Sequence, residues 1–245
     1  MKKKKTPKGL LMTGSFRRAG MTFYLRNGGI VARVSKSMER RSCTLAQFVQ
    51  RQRMRHTIAL WQILKPCGPM FTHRKTAYQN FASLANRLPV VYVERLQMEQ
   101  ASFLMPGIPV SDGTLPTLQQ KLGEVDGVPA LMTGLKTGEQ LFHEKLWLYT
   151  AEQKLEGPLP RVRFSKRDVS RNEMTVVDGH WALVGEEFAD EMKGWALVRV
   201  SDNRCTPQTI VTRCTLYQQY TTEEALQEAA KSYGGLTETP FLSPQ

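Results

Sequence analysis

Thr22-Phe23-Tyr24-Leu25-Arg26-Asn27-Gly28-Gly29-Ile30-Val31-Ala32-Arg33-Val34 is the stretch from which the chain is read. Two β-prone runs flank Asn27-Gly28. Asn-Gly accepts positive φ at both central positions of a type I′ turn, whose twist matches that of its flanking strands. The stretch therefore reads as a β-hairpin. Side chains alternate along a strand, so Phe23 and Leu25 share one face while Tyr24 and Arg26 share the other. Upstream, Gly9, Gly14 and Gly20 punctuate Leu10-Leu11-Met12 and Ser15-Phe16, which implies a further short or irregular strand.

A long helix follows the hairpin. Thr44 caps it and Gln47 completes a capping box. Pro66 stops it, because proline lacks the amide and disfavours α geometry in the residue before it. Leu45, Phe48, Val49, His56, Ala59, Leu60 and Ile63 fall within one arc at about 100° per residue. Arg51, Arg53 and Arg55 project away from that arc, and Met54, Ile58 and Trp61 make a second apolar patch.

Charge is concentrated in the same region. Residues 1–56 hold fifteen Lys or Arg and one acid, Glu39, a net +14; the whole chain is +12, so residues 57–245 carry −2. Such asymmetry speaks of partners rather than of fold. Lys and Arg on a ribbon and a helix neutralise phosphates and release counterions without reading sequence. Tyr24 adds a stacking face. A tract such as Lys2–Lys5 is, in its plainest reading, a solvated tail.

The 245 residues suffice for one or two domains, and 41% hydrophobic content suffices for a core. No apolar run approaches the roughly 20 residues needed to span a bilayer. Leu10-Leu11-Met12 is too short for the apolar core of a signal peptide, so a cytoplasmic location is expected. Beyond the turn at Cys67-Gly68-Pro69, a second helix is expected from about Thr72 to Leu88, carried by Ala77, Phe81, Leu84, Ala85 and Leu88. Val90–Val93 reads as a buried strand. Met105–Gly138 is rich in Gly and Pro and reads as turns and loops, with turn signals at Asp112-Gly113 and Asp126-Gly127. A domain boundary is placed near residue 100, giving residues 1–100 and 101–245. The second half reads as strands at Leu146–Thr150, Arg161–Ser165, Met174–Val177, Trp195–Val200 and Thr209–Tyr217, hence an antiparallel sandwich or barrel. Thr221 with Glu224 caps a last helix ended by Gly234-Gly235.

Chemistry is hard to find. Phosphate-loop, dinucleotide and nucleophile-elbow motifs are absent. Cys43, Cys67, Cys205 and Cys214 match no zinc spacing and read as free thiols. Cys43, beside Arg40 and Arg41, lacks a histidine base nearby in sequence. Glu186, Glu187, Asp190 and Glu191 lack the Asp/Asn ladder of a calcium loop and read as a solvated acidic loop or short helix. Trp181 and Trp195 read as sheet core. No catalytic residue, cofactor or metal is expected.

The order Gly9…Gly14-Ser15-Phe16…Gly20, Val31-Ala32-Arg33, Thr44…Gln47…Gln50-Arg51 and Leu64-Lys65-Pro66 resembles an uncharacterised Bacteroidetes family of domains of unknown function. Gly107…Val110-Ser111-Asp112-Gly113-Thr114-Leu115 is similar to a recurring segment of that family. The Lys2–Lys5 tract and the acidic segment 186–191 depart from it. The resemblance implies an N-terminal hairpin plus helices followed by an immunoglobulin-like β-sandwich, and it carries no functional residues.

The expected fold is α+β: an N-terminal basic β-hairpin with two helices, then an antiparallel immunoglobulin-like β-sandwich with a late helix. The expected function is non-enzymatic binding of a polyanion, foremost nucleic acid, through Arg17, Arg18, Arg26, Arg33, Lys36, Arg40, Arg41, Arg51 and Arg55. These would position the partner rather than specify its sequence. The competing reading is a structural subunit of a phage-like or cell-surface assembly, homo-oligomeric or docked on an acidic protein surface. An enzyme is the third reading, and a membrane surface is not expected.

Overall fold

The computed structural model describes residues 16–18, 21–26, 29–34, 43–72, 76–97, 101–138, 145–155, 159–234 and 236–237. Contacts divide the chain into two units, residues 1–42 and 43–245. In the first, β1 (Phe16–Arg18), β2 (Met21–Arg26) and β3 (Gly29–Val34) form one antiparallel sheet in that order. Asn27, Gly28 and the Lys2–Lys5 tract lie outside the described residues.

The second unit is α+β. It opens with β4 (Cys43–Thr44), α1 (Leu45–Leu64), β5 (Met70–Phe71), α2 (Ala77–Ala85) and β6 (Pro109–Asp112). There follow β7 (Lys121–Val125), β8 (Val128–Lys136), β9 (Lys145–Lys154), β10 (Arg161–Val169), β11 (Met174–Val177), β12 (His180–Val184) and β13 (Lys193–Ser201). It closes with β14 (Arg204–Cys205), β15 (Gln208–Thr209), β16 (Val211–Thr212), α3 (Glu223–Ser232) and β17 (Leu236–Thr237).

Two antiparallel sheets make a sandwich. One has the order β10-β9-β13-β14 with β16 also on β13, and the other β11-β12-β8-β7. Leu146, Leu148, Trp195 and Leu197 from the first meet Leu131, Leu135, Trp181 and Leu183 from the second in one core. The alternate positions Tyr149, Ala151, Ala196 and Val198 point the other way. They meet Leu60 and Leu64 of α1, Phe81 and Ala85 of α2, and Phe103 to Met105. β9 and β13 are therefore buried on both faces, which is why both read as nearly continuous apolar runs. Trp181 and Trp195 are core, as their apolar setting implied.

Local signals explain the elements that were legible. The Thr44 side chain accepts from the Gln47 amide, and Gln47 reaches back to the Thr44 amide. α1 stops at Leu64, and Gly68 then takes φ of +63°, a left-handed conformation that suits glycine. Hairpin turns with two positive-φ residues join β7 to β8 at Asp126-Gly127, β11 to β12 at Asp178-Gly179, and β13 to β14 at Asp202-Asn203.

Several expectations are corrected. Met105–Gly138 holds three strands, β6 to β8, besides its turns. Val90–Val93 has no regular structure; it is tied by the Tyr92 amide to the Tyr220 carbonyl at 2.8 Å. Thr209–Tyr217 is not one strand but breaks at Ile210, whose amide turns to Ile108, and it enters a 3-10 turn at Leu216–Tyr220. α2 is shorter than expected and is capped by Thr76. α3 is capped by Thr222, which accepts from the Ala225 amide, not by Thr221. On α1, Leu45 and Ile58 are exposed while Gln52 is buried. Ala101–Met105 is buried, and Gln153 fixes it by accepting from the Leu104 amide at 2.6 Å.

Leu148→Ala removes a side chain from the middle of the sandwich core and is expected to cost about 2–5 kcal/mol by urea denaturation. Thr44→Ala removes one capping bond and is expected to cost only about 1 kcal/mol.

Candidate polyanion interface

In the first unit the register places the basic positions. Arg17 pairs with Thr22, and Thr22 pairs with Arg33. Paired positions lie on the same face of a sheet, and so do alternate positions of one strand. Positions 17, 22, 24, 26, 29, 31 and 33 therefore share a face, on which the register puts the positions of Arg17, Arg26 and Arg33 with those of Tyr24 and its partner Val31. Positions 16, 18, 21, 23, 25, 30, 32 and 34 share the other, which is apolar except for Arg18. Position 18 is on the opposite face from positions 17, 26 and 33. Lys36, Arg40 and Arg41 lie outside the described residues.

In the second unit Arg51 and Arg55 stand one turn apart on the exposed side of α1. What holds Arg55 in place is the end of α3. Its Nη1 donates to the Tyr233 hydroxyl, and its guanidinium carbon lies 5.4 Å from the centre of the Tyr233 ring. Tyr233 is itself set edge-on against Phe48 at 5.1 Å, within a small core of Cys43, Phe48, Tyr92, Ala229 and Leu236. β4 and β17 pair in parallel beside this core. The sequence reading missed Arg95. Its amide donates to Ser232 Oγ at 3.0 Å, which ties its backbone to the end of α3 beside Tyr233. Burial, and then the charges of Arg51 and Arg95, lower the pKa of Arg55 below the usual arginine value.

Other candidates have structural roles. His56 is buried, and its Nε2 accepts from the Phe103 amide at 3.3 Å, so the ring is neutral with its proton on Nδ1. Burial pushes its pKa down to about 4. Cys43 is buried in the small core, and all four cysteines are free. Glu187 faces Arg167 at 3.7 Å and Asp190 faces Lys193 at 2.9 Å, so this acidic segment answers neighbouring bases. Among the described residues no three His, Cys, Asp or Glu side chains are placed to hold a metal, and no helix is long and apolar enough to cross a membrane. A groove of about 450 Å³ beside α3 carries Tyr92, Tyr220, Glu94, Glu224 and Glu228, a lining that disfavours anions. Compared with protein-family models, curated proteins and solved structures, the chain matches none.

His56 yields a test with a defined sign. Its folded pKa lies below the ordinary value of about 6.5, so acid favours the unfolded chain. Its contribution is intact above about pH 6.5 and is lost as the pH falls towards 4, by about 3 kcal/mol in all. Urea denaturation of the wild type should steepen in that window, and His56→Gln should remove this part of the slope.

Proposed function

We propose that the chain is a non-enzymatic polyanion-binding protein whose partner is nucleic acid. The observation that carries this reading is the shared face of positions 17, 26 and 33 around position 24. Arginine forks bind phosphate oxygens, and a tyrosine ring offers a stacking surface to a base. Arg51 and Arg55 give the second unit a basic surface of its own, on α1. The contacts are to the phosphate backbone, so binding depends steeply on salt and little on sequence.

The reading includes the fold that the family resemblance implies. The order β7-β8-β12-β11 against β10-β9-β13-β14 supports an immunoglobulin-like sandwich, because it parallels the A-B-E-D and C′-C-F-G sheets of that architecture. The inter-sheet disulfide of antibody domains has no counterpart here, since the cysteines are free. A hairpin closed at Asn27-Gly28 completes the proposal, supported by the antiparallel pairing of β2 with β3.

A second reading, a structural subunit of an assembly, is favoured by β11. It is an edge strand of its sheet among the described residues and exposes Val176. Open edges of this kind accept a further strand from a neighbour.

Fluorescence anisotropy with a labelled single-stranded oligonucleotide tests the first reading. The triple variant Arg17→Gln, Arg26→Gln, Arg33→Gln should bind at least tenfold more weakly at low salt. Its slope of log affinity against log salt should be shallower by about 2, while Arg18→Gln alone should change little. Equal binding by wild type and triple variant would overturn the reading.

A further inference from the structure

Arg51, Arg55 and Arg95 make a site of their own in the second unit. Two consecutive residues at the end of α3 assemble it. Tyr233 holds the Arg55 guanidinium by its hydroxyl and its ring face. Ser232 accepts from the Arg95 amide at 3.0 Å and donates to the Ala229 carbonyl at 2.8 Å, which locks that residue to the helix. Arg51 stands one turn before Arg55 on α1 and is exposed, as is Arg95. Among the described residues, no carboxylate forms an ion pair with any of the three. Glu228 pairs with Lys231 at 3.2 Å, and Glu94 and Glu224 belong to the groove.

Part of this arrangement has a purely structural cause. Cations near the C-terminal end of a helix are favoured by its dipole, and Arg55 and Arg95 both lie at the end of α3. That cause does not extend to Arg51, which adds a third like charge to the cluster. The charges of Arg51 and Arg95 act on the held Arg55 guanidinium, and an anion among them relieves the repulsion. The lowered pKa of Arg55 reflects this crowding in addition to burial. Planar forks with fixed donors suit the oxygens of a phosphoryl group better than they suit a halide.

We propose that Arg51, Arg55 and Arg95 form a phosphoryl-binding site, which takes either one phosphate of a nucleic-acid backbone or a free di- or triphosphate. This deepens the nucleic-acid reading but stands apart from the N-terminal sheet. Arg55 is the fixed donor, oriented by Tyr233. Arg51 and Arg95, both exposed, are the further donors to the anion.

The test uses the full chain with Arg17, Arg26 and Arg33 all changed to Gln, so that the N-terminal sheet is silent. Inorganic pyrophosphate is titrated by calorimetry, and a single-stranded oligonucleotide by anisotropy. In this background pyrophosphate should still bind, and Arg51→Gln or Arg95→Gln should each weaken it at least tenfold with no change in melting temperature. Arg51→Lys should recover part of the loss, because it restores the charge without the fork. If the oligonucleotide also binds and pyrophosphate displaces it, the site serves a nucleic-acid backbone. If pyrophosphate binds and the oligonucleotide does not, the ligand is a free phosphoryl compound. Absence of pyrophosphate binding in this background, or binding that Arg51→Gln and Arg95→Gln leave unchanged, would overturn the proposal and leave the cluster as a latch between α1 and α3. Loss of oligonucleotide binding on changing the sheet arginines alone would bear on the sheet and not on this site.

Discussion

The pairing of β9 with β13 is the constraint on which the second unit depends. In its register Leu148 lies opposite Leu197, and Tyr149 opposite Ala196. The first pair faces the second sheet and the next faces the helices, so one strand pair belongs to two cores at once. A sheet apolar on both faces must be covered on both. The β11-β12-β8-β7 sheet covers one side. Covering the other requires α1 and α2, and it fixes which side of α1 turns inward: Phe48, Gln52, His56, Leu60 and Leu64 are buried. Arg51 and Arg55 are left facing outward by the same requirement, while Arg53 is half-buried.

Electrostatics then acts on a surface that packing has already set. Fifteen of the basic residues precede residue 57, and the chain beyond is nearly neutral in balance. In the second unit, several bases are answered by a partner inside the fold. Lys166 lies 4.1 Å from the centre of the Trp147 ring, Arg167 meets Glu173, and Lys193 meets Asp190. These charges are answered within the fold. The carboxyl of Glu173 is held below its usual range by the Ser170 amide and Arg167, and that of Asp190 by Lys193. Among the described residues Arg51, Arg55 and Arg95 have no such acid, and this contrast is what supports the proposal that they bind an anion.

Legibility followed the range of the interaction. The box of Thr44 and Gln47 and the stop at Pro66 act within a few residues, and α1 was read with its true ends. Met174–Val177 was read with its true bounds because turn signals enclose it. β7 and β8 were missed although the turn between them, Asp126-Gly127, was noticed: Gly123 and Pro129 break the alternation that would mark the flanks as strands. Gln52 was not expected in the core, since its burial depends on the Val93 carbonyl, which accepts from its Nε2 at 3.3 Å. The site shows the same limit. Arg51 and Arg55 stood out by local charge, but Arg55 is held by a residue 178 positions away, and Arg95 is brought in by one 137 positions away. No local pattern in the sequence carries those contacts.

Hydrogen–deuterium exchange of the full chain, with and without a saturating single-stranded oligonucleotide, tests the central claim most directly. The account predicts slower exchange in the strands spanning 16–34 and around Arg51, Arg55 and Arg95, with the hairpins of the sandwich unchanged. Protection confined to the sandwich hairpins, or no protection anywhere at saturation, would contradict it.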